Sequence, residues 1–229
     1  MALKVLVVVP AYNEALNIEK TIRDIKENAP MVDYVVVNDG SKDNTLEVLK
    51  KNNINYIDSL CNLGLFGAVQ TGFKLALKES YDVVIQFDGD GQHSAIYISH
   101  LLDEIQKGND IVIGSRFVDE KKPISARMIG SRLIEGGIYL MTGKKICDPT
   151  SGFRAYGKEC IKDFAIDMNN PPEPDTLVYM LRKKREIKEV QVHMSEREFG
   201  ESYLNLVNTI KYMSRMMVSI FLIQPFRKV

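Results

Sequence analysis

From Lys4 to Lys107 the chain alternates short β-branched runs with stretches whose apolar residues recur at helical spacing, and each run gives way to a polar or glycine-containing loop. Residues 5–9 precede Pro10-Ala11-Tyr12-Asn13-Glu14 and a pattern that puts Ile18, Ile22 and Ile25 on one helical face. Residues 34–37 lead into Asn38-Asp39-Gly40-Ser41 and a helix carrying Leu46 and Leu49, and residues 54–57 into Asn62-Leu63-Gly64-Leu65-Phe66-Gly67 and a helix through Leu75 and Leu77. Residues 81–87 form the next run, followed by Asp88-Gly89-Asp90-Gly91-Gln92 and a helix through Leu101, Leu102 and Ile105. Such alternation predicts an α/β fold with a central, mostly parallel sheet covered by helices on both faces. Sheets of this kind bind ligands at the carboxyl ends of their strands. Tyr12, Glu14, Asp39, Asp88 and Asp90 all fall at that end.

The Asp-Gly-Asp loop has two readings. Residues two apart in an extended segment face the same side, so Asp88, Asp90 and Gln92 can converge as oxygen ligands of a hard divalent cation, Mg or Mn. The same residues also spell a turn that needs no metal. A calcium loop of the EF-hand type would want Gly at His93 and Glu at Ser99, and has neither. The first strand ends without the GxGxxG of dinucleotide-binding folds, and no Walker loop is present.

After Lys107 the rhythm changes. Ile111-Val112-Ile113 is a strand ending at Gly114-Ser115-Arg116-Phe117, and residues 125–142 read as a helix with Arg127 and Ser131 on one face. Asp148-Pro149-Thr150-Ser151-Gly152-Phe153-Arg154 is a polar turn leading to a short strand, Pro171-Pro172-Glu173-Pro174 breaks the chain, and residues 187–192 are the last strand. Asp175 sits where it can cap the intervening helix.

Thirty basic and thirty acidic residues cancel, which leaves no overall field to recruit nucleic acid. Cys61, Cys147 and Cys160 form no CxxC pair, which argues against a disulfide framework or zinc site, reads them as packing residues and fits a reducing cytoplasm. The N-terminal apolar run is too short for a secretory segment and is read as the first strand.

The succession Val-Val-Pro-Ala-Tyr-Asn-Glu, Val-Asn-Asp-Gly-Ser, Phe-Asp-Gly-Asp-Gly-Gln, Gly-Ser-Arg-Phe, Asp-Pro-Thr-Ser-Gly-Phe-Arg and Phe-Gly-Glu-Ser resembles the inverting family 2 glycosyltransferases of the GT-A fold, a Rossmann-like sheet with helices on both faces. Within them it is most similar to the dolichol-phosphate mannosyltransferase type and its bacterial polyprenyl-phosphate relatives. The resemblance implies a nucleotide-sugar donor, UDP- or GDP-linked, with Pro10, Ala11, Tyr12, Glu14 and Asp39 around the base and ribose. It implies Asp88 and Asp90 on the metal, with Gln92 as a further ligand. Arg116, Arg127, Ser131 and Arg154 would gather around phosphate groups, with Ser202 on the acceptor side; arginine suits bidentate phosphate contact. A lipid-phosphate acceptor would need no general base. A sugar-hydroxyl acceptor would, and Asp175 is then the candidate, with a helix cap as its alternative role.

The sequence departs from the family pattern at Asn38, where Asp is common, and at Tyr203, where the lipid-phosphate enzymes usually carry Lys or Arg. Residues 203–229 are read as a C-terminal amphipathic helix appended to a transferase domain of residues 1–202. Leu204, Val207, Ile210, Met213, Met217, Ile220 and Phe221 line one face of that helix. It would either lie on an anionic membrane surface or pack on its own domain or a second subunit. His93, His100 and His193 lack metal-ligand spacing and are read as incidental. The expectation is a cytoplasmic, metal-dependent inverting glycosyltransferase with a polyprenyl-linked acceptor. A saccharide-hydroxyl acceptor is the alternative; a sugar nucleotidyltransferase and a catalytically silent binding protein rank below it.

Overall fold

The computed structural model describes residues 3–167, 172–195 and 206–228. Among them a seven-stranded sheet is built from β1 (Val5–Ala11), β2 (Asp33–Asn38), β3 (Tyr56–Asp58), β4 (Val83–Gln86), β5 (Ile111–Ser115), β6 (Arg154–Gly157) and β7 (Ile187–Gln191), in the order β3-β2-β1-β4-β6-β5-β7. β1 pairs in parallel with β2 and β4, with Val8 opposite Val35 on one side and Gln86 on the other. β6 runs antiparallel to both β4 and β5, and β7 is again parallel to β5. The carboxyl ends of β1, β2, β3, β4, β5 and β7 therefore share one edge of the sheet, with β6 alone reversed among them.

β1 shows why the sheet must be covered on both faces. All seven of its residues are buried. Leu6 and Val8 join one apolar cluster, while Val5, Val7, Val9 and Ala11 join another on the opposite face. The second cluster is closed by α1 (Ile18–Asn28), through Ile18, Ile22 and Ile25, by α2 (Thr45–Lys51) through Leu49 and by α4 (Ile98–Gln106) through Ile98, Leu101 and Leu102. The first is closed by α3 (Gly64–Lys78), α5 (Ala126–Thr142), α6 (Lys158–Ile166) and α7 (Thr176–Arg182).

α5 has legible ends. The Ser125 side chain accepts a bond from the Met128 amide at its start, and Gly143 closes it with φ of 72°. The C-terminal helix α8 (Leu206–Val218), which widens into a π-helical turn over Ser219–Ile223, packs along α5. A Cβ on Gly130 would stand 2.8 Å from the Met213 sulfur, and one on Gly137 would stand 3.4 Å from Ile220. Equal steps along both chains mean that the two helices run parallel, brought close by glycine. Met216 and Ile220 are buried in the first core cluster, with Met213, Met217 and Phe221 packed against it. Of the expected apolar face, Met213, Met217, Ile220 and Phe221 thus turn to the protein's own core; Leu204 and the side chains of Val207 and Ile210 lie outside the described residues. Among the described residues no helix is long and apolar enough to cross a membrane.

Candidate active site

The loops after β1, β2 and β3 are bound to one another by side chains that take main-chain partners. The Asn13 amide donates to Ser41 Oγ at 3.0 Å, and its side-chain oxygen accepts from the Lys42 amide at 2.8 Å. Asn13 has φ of 58°, which asparagine tolerates. The Glu14 amide donates to Thr45 Oγ1 at 2.9 Å and the Ala15 amide to Asp43 Oδ2 at 3.2 Å. Asp39, buried, accepts the Leu63 amide at 2.7 Å, and its own amide donates to the Ala11 carbonyl at 2.9 Å. Glu14 is also buried and accepts from Asn17 Nδ2 at 2.7 Å. Tyr12 is 41% exposed and directly follows the buried β1 residues Pro10 and Ala11.

Asn38 stands in for the common Asp for a visible reason. Its Nδ2 donates to Asp58 Oδ1 at 2.7 Å, a position in which a second carboxylate would meet like charge.

At the end of β4 the Asp88 amide donates to His93 Nδ1 at 3.1 Å, which puts the ring proton of neutral His93 on Nε2, facing Asp88 Oδ2 at 3.6 Å. The His93 ring is buried, stacked on Phe153 with centroids 5.0 Å apart and edge-on to Phe87 at 5.3 Å. His93 is therefore not incidental: it is fixed by two aromatic rings and borders the carboxylate. From above, Gly152 leaves room for Asp88; a Cβ there would lie 2.7 Å from Asp88 Oδ2. Asp88 Oδ1 is buried with no hydrogen-bond partner.

Asp90 Oδ1 accepts the Gln92 amide at 3.1 Å, so the loop does turn as its Asp-Gly pairs predict. The Gln92 side chain reaches the segment after β7: its Nε2 donates to the Ser195 carbonyl at 3.3 Å, and the Ser195 amide donates back to the Gln92 carbonyl at 2.9 Å. Among the described residues no three His, Cys, Asp or Glu side chains gather as a metal cage. What is present fits a magnesium-like ion, which takes one or two carboxylates and completes its shell with water and substrate phosphate oxygens. A buried, unpartnered carboxylate oxygen is the expected mark of such a site.

The arginines expected on phosphate have protein partners. Arg116 forms a bidentate pair with Asp148, Nε to Oδ2 at 2.7 Å and Nη2 to Oδ1 at 2.9 Å. Asp148 is fully buried and is held in turn by Glu189, whose carboxylate accepts the amides of Cys147 and Asp148 at 2.6 and 2.7 Å. Arg154 is buried and donates to the carbonyls of Ser151, Pro172 and Pro149, at 2.8, 3.3 and 2.5 Å. It braces the turn that carries Gly152. Ser131, buried on α5, accepts from Lys122 Nζ at 3.1 Å. The Arg127 side chain and all of Ser202 lie outside the described residues.

Asp175 precedes α7, but its side chain does not cap the helix. Its Oδ2 accepts from Ser219 Oγ at 2.5 Å and Gln224 Nε2 at 2.8 Å, both from the C-terminal segment. Neighbouring Glu173 pairs with Arg215 Nη2 at 2.6 Å, while burial pushes its carboxyl above the ordinary range. Cys160 is buried as expected, but Cys61 is exposed.

Residues 6–164 match the model of Glycosyl transferase family 2. The chain belongs to this family. Over 218 residues this family 2 chain is 30% identical to an undecaprenyl-phosphate mannosyltransferase of Micrococcus luteus, covering 89% of this chain and 88% of that one. It is 34% identical to a dolichol-phosphate mannosyltransferase of Pyrococcus furiosus, covering 92% of this chain and 62% of that longer protein. In fold it is similar to the glucosyl-3-phosphoglycerate synthase of Mycobacterium tuberculosis, solved with Mn2+, UDP-glucose and phosphoglyceric acid, at TM-score 0.70 and 17% identity, covering 99% of this chain and 81% of that one. The sheet with its one reversed strand is the GT-A fold, and the chain is a glycosyltransferase.

Sequence reasoning missed His93, Lys122, Asp148 and Glu189. Asp148 lay within a quoted motif, and His93 directly after another; their partners are distant in sequence, and only the fold supplies them.

Proposed function

We propose that this enzyme moves a glycosyl group, with inversion, from a UDP- or GDP-sugar to the phosphate of a polyprenyl phosphate. The observation that carries the donor side is Asp88, whose buried Oδ1 has no partner at the carboxyl edge of the sheet. Asp88 and Asp90 would hold a divalent cation that neutralises charge on the departing diphosphate. Tyr12, with Pro10, Ala11, Glu14 and Asp39, would receive the nucleoside. On the acceptor side an anionic phosphate oxygen attacks the anomeric carbon; the bond to the diphosphate oxygen breaks and its electron pair leaves with the nucleoside diphosphate. No proton has to be removed, so no base is needed.

Asp175 is buried and tied to the C-terminal segment: one of its oxygens carries two hydrogen bonds, from Ser219 and Gln224, and the other has no partner among the described residues. The relatives in Micrococcus luteus and Pyrococcus furiosus, named for undecaprenyl and dolichol phosphate, support the lipid-phosphate reading. A lipid acceptor implies work at a membrane surface, on its cytoplasmic face. Ile129, Leu133 and Leu140 on α5 and Val218 and Leu222 beside them are more than half exposed and would meet it there.

Thermal unfolding with UDP and with GDP, each with and without Mn, tests the donor side on the wild type and Asp90→Ala. At a hundred times its dissociation constant a nucleotide adds about 2.7 kcal/mol. One nucleotide should stabilise only with metal and only the wild type; no shift with either sinks the proposal. Asp175→Asn should keep turnover on polyprenyl phosphate, and its loss with donor binding intact would favour the hydroxyl acceptor.

A further inference from the structure

The C-terminal segment is joined to the protein by a buried polar cluster as well as by the packing of α8. Asp175 Oδ2 accepts from Ser219 Oγ at 2.5 Å and from Gln224 Nε2 at 2.8 Å, and Gln224 Nε2 also donates to Ser219 Oγ at 3.2 Å. All three residues are buried. On an α-helix, residues five apart point about 140° away from one another. The π-helical turn over Ser219–Ile223 narrows that divergence, because its repeat brings residues five apart together. Such turns are rare and gather at functional positions. This one lets Ser219 and Gln224 grip a single carboxylate.

A tether for the C-terminal segment is the simplest account of the cluster, but what it holds is the turn over residues 172–175, where Pro172 and Pro174 have no amide hydrogen to donate. Side chains from elsewhere position this turn. Arg215 Nη2 holds Glu173 at 2.6 Å, Ser219 and Gln224 hold Asp175, and Arg154 Nη1 donates to the Pro172 carbonyl at 3.3 Å. A cavity of about 750 Å3, lined in part by Glu173, Asp175, Arg215, Met216, Ser219 and Gln224, opens beside the joint, so close packing alone does not fix it.

Arg154 carries the connection onward. Its Nε and Nη2 donate to the Ser151 and Pro149 carbonyls at 2.8 and 2.5 Å, while Ser151 Oγ ties the same turn to β5 through the Gly114 carbonyl at 2.6 Å. That turn presents Gly152 to Asp88 and stacks Phe153 on the His93 ring. A guanidinium is a planar fork with donors in fixed directions, so a moved Pro172 carbonyl swings the group and shifts the other two carbonyls with it. We infer that Ser219 and Gln224 are positioning residues for Asp88, acting through Asp175, the 172–175 turn and Arg154. Removing either donor leaves the Asp175 carboxylate, whose Oδ1 already lacks a partner among the described residues, further short of hydrogen bonds in a buried place, and the turn must move to relieve it. This inference deepens the proposed function and rests on it for the role of Asp88.

The test compares the wild type with Ser219→Ala, Gln224→Ala and Met216→Ala, the last removing a core contact of α8 while leaving the polar joint intact. The first readout needs no metal. The chain has three histidines, so their ring-proton NMR signals are few, and His93→Phe assigns the one that matters. Ser219→Ala and Gln224→Ala should each move the His93 signals and leave those of His100 and His193, which lie against Tyr97, in place. The second readout is calorimetric titration of Mn with UDP and with GDP, where both variants should weaken Mn about two- to thirtyfold. Met216→Ala should lower the unfolding midpoint and change neither readout. Unmoved His93 signals in both variants overturn the inference, as does an equal movement in Met216→Ala, which assigns the effect to helix packing at large. Moved His93 signals with wild-type Mn affinity overturn the positioning role. Moved signals with no Mn-dependent nucleotide binding in the wild type defeat the reading of Asp88 alone and support the mechanical joint.

Discussion

Gly152→Ala asks how closely Asp88 must be placed. The added methyl would lie 2.7 Å from Asp88 Oδ2, 3.2 Å from Oδ1 and 3.3 Å from the carboxyl carbon, where ordinary contact begins at 3.4 Å. Asp88 has little room to yield, because its amide is bonded to His93 and its carboxylate faces the His93 ring. The turn has little room either, since Arg154 holds the carbonyls of Pro149 and Ser151, both just before Gly152. The carboxylate must therefore shift by about 0.7 Å to restore contact with Oδ2. Displacements approaching 1 Å cost about a hundredfold in rate, so kcat/KM should fall roughly ten- to a hundredfold, or about 1.4–2.7 kcal/mol. Global stability should change little, because the clash involves a side-chain end at the surface of the core. The assay is nucleoside diphosphate release across a Mn titration, with thermal unfolding in parallel. A variant with wild-type turnover and wild-type Mn dependence would refute the reasoning, and so would one that lost activity only by unfolding.

His93→Phe keeps the aromatic packing but removes the acceptor of the Asp88 amide, which should cost about 1–3 kcal/mol in denaturant unfolding and reduce the Mn-dependent stabilisation by nucleotide. Asn38→Asp sets a second carboxylate face to face with that of Asp58 and should lower the unfolding midpoint at neutral pH, with the deficit shrinking on acidification. Burial raises the Glu173 carboxyl, so the folded state holds that proton more tightly than the unfolded chain. The stability it contributes is complete below the ordinary carboxylate range and is lost as pH rises through the raised value; Glu173→Gln should flatten that decline in midpoints measured across acid to neutral pH. Burial pushes the Cys160 thiol to about 12, so iodoacetamide at mildly alkaline pH should label exposed Cys61 rapidly and Cys160 only on unfolding.

Much of this was legible in the chain because its signals are local. The β-branched runs of β1, β2, β4 and β5 and the spacing of Ile18, Ile22 and Ile25 declare their elements without reference to anything distant. The loops between them then had to fall at one sheet edge. The reversal of β6 was not legible, since it depends on pairing across more than sixty residues with β4. Residue types conveyed charge but not partner. Arg116 and Arg154 carry the right groups for phosphate, yet a carboxylate brought in from Asp148 and three turn carbonyls occupy their donors. Lys122 and Ser131 meet only because the loop after β5 folds back over α5, and no pattern in the intervening residues announces that.

Gln92 and Ser195 exchange hydrogen bonds in both directions, one through the main chain of each and one through the Gln92 amide. The loop that follows β4 and the segment that follows β7 are therefore a single mechanical unit, although more than a hundred residues separate them. Anyone re-engineering the donor preference by grafting a relative's 88–92 loop would be altering the support of the chain that leaves β7 as well. Chimeras cut between these two segments should lose function even when each half is intact, whereas exchanging them together preserves the joint.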